Sequence, residues 1–412
     1  MSSSNDGDQP SAKDPGATPD GGADEGDEAS PTASDDPSSE QDSIEEAEEG
    51  AAGSTAAAPG AHVASRRGFI RRHKAVVALV TLLVILGGSL GGWLWYLNHL
   101  GDNVQRIHNV FVAEKKRPAK AETDALNILL GGSDNGADGQ SIAHDVNSGH
   151  WTPGAHRSDT IMILHVTADR KHVYLVSIPR DSYVTIYDKH GDPAGKDKIN
   201  AAFSLYGPTS YVSTVEHLTG LRMDHLAIID WNGFKDLTEA LHGVTVYIPK
   251  TFYDEAQKIT WHKGFQTIQG KTALQYVRTR HGLANGDFDR IKRQQNFLRE
   301  LMKKTLSNGT MSNPFRLTSV LKAVTSNLTV DQEFSTSQMR DLVLSLRNIH
   351  SDDVTFLTAP FGGYDTTPDG QSVVLLKTKE SHALWQSIKN DDIQSYIDKY
   401  GGDTLQGADH VN

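Results

Sequence analysis

Four short clusters hold the residues of this chain that could handle a phosphate. The densest is residues 277–295, VRTRHGLANGDFDRIKRQQ. Arg278 and Arg280 are two apart, so in an extended segment both guanidinium groups leave from one face and form an anion clamp. Arg290 and Gln294 are four apart, so they share one face of a helix predicted from about residue 291. They lie near its start, where the helix dipole adds positive potential. Arginine forks match phosphate oxygens in bidentate geometry, and each charge-assisted bond contributes about 1.5–3 kcal/mol. A pyrophosphate is the anion this arrangement suits.

The other three clusters are NILLGGSDNG at 127–136, RSDT at 157–160 and SIPRD at 177–181. Pro179 stiffens the exit from a predicted strand and aims Arg180. Asp134 and Asp159 bring hard carboxylates to the same positive surroundings. Magnesium is held by one or two carboxylates together with substrate phosphates and water, so these two aspartates are the expected ligands of Mg²⁺, or of Mn²⁺ in its place. There are bland alternatives: Asp134 could shape a Gly-Ser-Asp-Asn turn, and arginines at a helix start can bridge to Asp287 and Asp289. Walker, nucleophile-elbow and zinc-helix motifs are absent, and the 18 histidines are scattered.

The elements that must position these clusters read as α/β. Residues 125–130, 160–166, 173–177, 226–229 and 244–248 have strand character, and 233–241 has helical character. This alternation points to a largely buried central sheet. Residues 291–306, IKRQQNFLRELMKKTL, repeat with period 3.6, with Ile291, Leu298, Leu301 and Met302 predicted on one side. The same style continues through 336–349, 354–357, 373–376 and 382–389.

Composition divides the chain sharply. Residues 1–60 contain 16 acidic side chains and one basic one, too much charge and too little apolar surface to fold. Residues 75–97, AVVALVTLLVILGGSLGGWLWYL, are an uncharged run long enough to span a bilayer. Arg66, Arg67, Arg71, Arg72 and Lys74 flank its start, which keeps that side in the cytoplasm and the following domain outside. The whole-chain net of −12 leaves only about −2 beyond Leu97, so duplex nucleic acid is not an expected partner. With no cysteine, the exported part must rely on its hydrophobic core.

The ordered series NILLGGSD, RSDTIMILHV, SIPRDSYV, KINAAFSLYG, TVEHLTGLRMDHLAIIDWNGF, ALQYVRTR and DFDRIKRQQNFL, from about residue 125 to 306, resembles the LytR-CpsA-Psr family of cell-wall glycopolymer ligases, in its actinobacterial form. The resemblance implies a three-layer α-β-α domain with a central mixed sheet. It implies a single-pass cell-membrane protein with a polyprenyl-pyrophosphate-linked glycan as donor and a hydroxyl of peptidoglycan or a related wall glycan as acceptor. Carried over by motif, it implies metal ligation by Asp134 and Asp159 and phosphate binding by Arg180, Arg278, Arg280 and Arg290. Gln294 and Asp287 match further site positions, Asp287 being the candidate base. Asp181 and Lys198 are candidates for orienting the pocket. Two departures stand out: Asn135-Gly136 opens an insertion where many relatives have an arginine, and Asp289 stands where glycine is common.

The expected organisation is a disordered acidic tail at 1–65, a transmembrane helix at 75–97 and a stalk at 98–124. A catalytic domain follows at 125–306, with an extension at 307–395 packed on it. The competing functional readings are a lipid-diphosphate pyrophosphohydrolase and a membrane-anchored sensor or transcription attenuator.

Overall fold

The computed structural model describes residues 103–133, 141–279 and 287–401, together with residues 92, 99, 101, 403–405 and 407. The acidic tail at 1–65 and, apart from Gly92, the apolar run at 75–97 lie outside the described residues. Among the described residues no helix is long and apolar enough to cross a membrane.

An eight-stranded mixed sheet organises the fold, in the order β1-β12-β7-β2-β3-β4-β13-β16. Its strands are β1 (Gln105–Ile107), β2 (Leu126–Ser133), β3 (Ser158–Val166), β4 (Val173–Ser177), β7 (His225–Asp230), β12 (Leu328–Asp331), β13 (Val354–Thr358) and β16 (Asp403–Thr404). β2 pairs in parallel with β7 and antiparallel with β3, and β4 pairs antiparallel with β3 and in parallel with β13. The carboxyl ends of β2, β4, β7 and β13 and the start of β3 therefore meet along one edge.

Both faces of the sheet are covered, which is why its strands read as nearly continuous apolar runs. Along β3, Ile161 and Ile163 pack into one core with α1 (Asn200–Tyr206), α2 (Pro208–Thr219), α8 (Thr378–Lys389) and α9 (Ile393–Tyr400). Met162, Leu164 and Val166 face the other way, toward α5 (Asp287–Leu306) and α7 (Thr336–Ser345). Helices on both faces make three layers.

A second core lies beside the main sheet. Here, among the described residues, β8 (Val244–Ile248) pairs only with β11 (Gly264–Ile268), and the small hairpin β9 (Phe252–Asp254)–β10 (Ile259–Trp261) adds Trp261. α3 (Trp231–Ala240), α4 (Gly270–Arg278) and α6 (Pro314–Ser326) close it. α5 serves both cores: Phe297 and Leu301 enter the second, Met302 the main-sheet core, and Leu298 touches both. The apolar stripe predicted as one-sided is thus shared between two partners.

The described part of the segment expected as a stalk is packed on the domain. β1 forms an edge of the sheet, Ile107 and Val110 are buried, and Arg117 is held by Glu216 at 2.6 Å with both side chains almost fully covered. The expected extension at 307–395 supplies β12 and β13, so the sheet runs across the boundary expected at Leu306.

Candidate active site

The SIPRD cluster begins at the last residue of β4 and leaves the sheet at its carboxyl edge, where α/β sheets bind ligands. Arg180 makes an ion pair with Asp159, the second residue of β3. Its Nε lies 3.6 Å from Asp181, and the Lys198 ammonium lies 3.6 Å from the other oxygen of the same carboxylate. Lys198 ends β6 (Pro193–Lys198), opposite Tyr183 of β5 (Tyr183–Tyr187), so a hairpin delivers it. The four side chains are between 17% and 24% exposed, sheltered enough to strengthen Coulomb attraction and open enough to admit an anion. Two cations and two carboxylates neutralise each other here, so an arriving phosphate can take over guanidinium contacts that aspartate now makes.

Asp134 and Arg280 lie outside the described residues, and Asp287 opens α5 with its side chain outside the description. Ser133, just before Asp134 in sequence, pairs with Ser158, just before Asp159, and with Asp230 of β7. Asp230 caps α3 by accepting from Gly233 N at 2.7 Å, which turns the chain sharply and presents Trp231. A Cβ on Gly132 would lie 3.3 Å from Thr160, a tight approach, and 3.9 Å from the Trp231 ring, so that indole lies near the end of β2. Arg278, exposed at the end of α4, rests its guanidinium 5.6 Å from the Trp231 ring centre. It therefore stands over the same sheet edge as the Arg180 cluster.

α5 is tied to both arms of the site. Gln294 donates to Val277 O at 3.2 Å, one residue before Arg278. Gln295 donates to Ser177 Oγ, Leu357 O and Thr358 Oγ1 at 2.9, 2.8 and 3.2 Å, gripping the strand end that launches Arg180. Arg290 is only 2% exposed, so it is sunk into the helix packing while Arg278 stands open. Asp289, the departure from glycine, is also buried, and its charge favours ionised Arg293. Burial pushes the pKa of Arg293 down from the usual guanidinium range, opposed by Tyr276, Asp289 and Asp254. Its guanidinium lies 4.8 Å from the Phe252 ring centre and 5.1 Å from that of Tyr276.

With this geometry in view, the sequence profile of the LytR_cpsA_psr family matches residues 97–390. The chain belongs to the LytR-CpsA-Psr family. The match includes every candidate residue named above and continues well past Leu306. "Cell wall biosynthesis protein LcpA" of Corynebacterium glutamicum is 31% identical over 346 residues, covering 76% of this chain and 64% of the relative. The chain thus spans under two thirds of that relative's length. "Polyisoprenyl-teichoic acid–peptidoglycan teichoic acid transferase TagU" of Bacillus licheniformis is 29% identical over 263 residues, covering 63% of this chain and 77% of the relative. The crystal structure of Bacillus subtilis TagV superposes with a TM-score of 0.52 at 23% identity, covering 66% of this chain and 98% of that one, and shows the shared fold.

Several residues of this LytR-CpsA-Psr site have no obvious signal in the sequence. Trp231 could have been suspected from its place directly after a strand. Gln295 could not, because its partner Ser177 is 118 positions away, nor could the link between Gln257 and Thr279, which are 22 apart. Gln257 donates to Asp254 Oδ2, Gln275 O and Thr279 Oγ1 at 3.1, 2.8 and 3.0 Å, and buried Thr279 lies between Arg278 and Arg280 in sequence. This lock fixes the direction in which the arginine segment leaves α4. Gln257→Ala is expected to lower the unfolding free energy by about 1–3 kcal/mol, since it strips partners from buried Asp254 and Thr279. Urea denaturation reads the change, and an unaltered midpoint would mean that the lock contributes nothing.

Proposed function

We propose that this chain moves a glycopolymer phosphate from a polyprenyl-pyrophosphate carrier to a hydroxyl of peptidoglycan or a linked wall glycan. The observation that carries this reading is the ion cluster of Arg180, Asp159, Asp181 and Lys198 at the sheet's carboxyl edge, with Arg278 held over the same edge by Trp231. Membership of the LytR-CpsA-Psr family and the activity in the name of the Bacillus licheniformis relative support it.

In this reading Arg180, Arg278 and Arg280 grip the diphosphate oxygens, and Arg290 adds positive charge from its buried place on α5, with Gln294 keeping α5 against the arginine segment and Lys198 orienting Asp181. The acceptor hydroxyl oxygen attacks the glycan-side phosphorus, the bond from that phosphorus to the bridging oxygen breaks, and polyprenyl phosphate departs. The hydroxyl proton passes to Asp287. Positioning and charge stabilisation supply most of the rate, as in other phosphoryl transfers.

A carboxylate pair beside substrate phosphates suits Mg²⁺. Asp159 has this character, sheltered at the sheet edge next to the arginine that would share the diphosphate, and Asp134 would be its partner. Bound there, Mg²⁺ or Mn²⁺ would supply neutralisation of the developing negative charge. Residues 75–97 would anchor the chain in the cell membrane with its N-terminus in the cytoplasm, leaving the domain outside, where donor lipid and wall meet.

The test is product analysis with purified chain, a lipid-pyrophosphate-linked glycan and peptidoglycan, with and without acceptor. Glycan joined to the wall through a phosphodiester, lost on chelation and restored by Mg²⁺, is the expected result. Release of free glycan phosphate at the same rate without acceptor would make water the nucleophile and overturn transfer.

A further inference from the structure

A hairpin that no phosphate chemistry requires lies against the site. β14 (Phe361–Thr366) and β15 (Ser372–Leu376) form a two-stranded sheet, and β15 is fastened to the Arg180 loop. Val374 N donates to Asp181 O at 2.9 Å, and Ser182 bridges to Val374. The hairpin therefore joins the Arg180 loop, through Val374, to the start of α5, where Phe288 meets Phe361.

Its strands contain a register shift between Phe361 and Gly363, which leaves Gly362 as an extra residue. Phe361 is opposite Leu376 and Tyr364 is opposite Val374, so two residues three apart in sequence share one face. Space at Gly362 is tight: a Cβ there would lie 3.0 Å from the Leu376 carbonyl carbon and 3.1 Å from Leu375 O, so a side chain would press on the backbone of the partner strand. The bulge brings the Phe361 and Tyr364 rings to 5.0 Å, and Phe288, one residue after the candidate base Asp287, meets Phe361 at 4.4 Å. Tyr364 is 57% exposed, so much of its ring is open to solvent. Asp365 and Thr366, next to Tyr364 in the chain, and Asp369 in the turn are exposed.

We infer that Phe288, Phe361 and Tyr364 form a platform for a sugar ring of the acceptor glycan, presenting its hydroxyl to the phosphate held by Arg180. The inference rests on the proposed transfer reaction. One face of a pyranose carries polarised C–H bonds that suit the electron-rich face of an aromatic ring. Its equatorial hydroxyls need polar neighbours, and exposed Thr366 lies two residues from Tyr364 on the same strand. A prenyl chain would need a continuous apolar trough, and this patch is interrupted by charge on its own strand. A wall polymer must also be gripped from the open side, as the exposure of Tyr364 allows. The donor glycan and the lipid are therefore the alternatives that the test must separate.

The test uses the full chain with Tyr364→Ala and Tyr364→Phe. Soluble peptidoglycan fragments serve as acceptor in transfer assays and, without donor, in calorimetric titrations. Tyr364→Ala is expected to raise the acceptor KM about tenfold and to weaken fragment binding to match, with kcat and donor KM within about twofold, the loss of one ring contact. Tyr364→Phe should restore both. An unchanged acceptor KM in a chain that transfers glycan overturns the platform and leaves the reaction standing. Fragment binding that depends on Tyr364 in a chain that transfers nothing keeps the platform and removes the reaction. A rise confined to donor KM, or weaker binding to vesicles carrying the prenyl lipid, assigns the rings to another occupant and overturns the inference.

Discussion

Arg278→Ala is expected to reduce glycan transfer by about 10²–10³-fold, the usual consequence of removing one preorganised donor from a developing oxyanion. The same change should hardly affect folding. Arg278 is exposed at the end of α4, and the contact the structure shows for its guanidinium is with the Trp231 ring at 5.6 Å. An exposed cation–π contact contributes about 0.5–1 kcal/mol, so the melting temperature should move by only a few degrees. Arg278→Lys is the sharper control. It keeps the charge but loses the fork, and should recover only part of the rate because bidentate contact with a diphosphate is gone. Radiolabelled donor and washed cell wall give the measurement. Full activity in Arg278→Ala would remove the clamp from the proposed site.

Arg117→Ala is expected to act in the opposite way, on stability rather than chemistry. Arg117 lies in the segment with stalk-like composition, yet its guanidinium donates to Glu216 from Nη2 at 2.6 Å and from Nε at 3.1 Å to both carboxylate oxygens. Nη2 also donates to Met223 O at 2.6 Å, and the group lies 4.2 Å from the Phe111 ring centre. Glu216 is 1% exposed and accepts Met223 N at 2.9 Å. Removing the arginine would leave a buried carboxylate with that backbone amide in place of a full positive charge, at a cost of about 3–5 kcal/mol. Chemical denaturation should read this loss. Arg117→Ala combined with Glu216→Gln should be less destabilised than the two single losses predict together, because the second change removes the orphaned charge. Purely additive losses would show that the pair is not coupled.

The two predictions differ in how far local sequence could anticipate them. Arg278 was singled out from its spacing to Arg280, although it ends the helix Gly270–Arg278 rather than lying in the extended segment that spacing assumed. Arg117 was not. Its partner is 99 positions away, and composition placed it in a polar connector beside Pro118.

The strands at 126–133, 158–166 and 173–177 and the long helix after residue 287 were legible for the same local reason as Arg278: runs of β-branched residues and a 3.6-residue period depend on near neighbours. So were the Asp159 and Arg180 clusters, since each sits at a strand end, and the charge and hydropathy division of the first hundred residues. Partner choice was beyond that reach. Val244–Ile248 has the composition of a main-sheet strand but pairs with Gly264–Ile268 over a separate core, and one stripe of Asp287–Leu306 is divided between two cores. The lock from Gln257 to Thr279, the grip of Gln295 on Ser177 and the bridge from Val374 of the Tyr364 hairpin to Ser182 arise the same way. Local propensity sets what a segment can become, whereas its neighbour is chosen by burial and hydrogen bonding summed over the whole chain, and no short stretch of residues contains that sum.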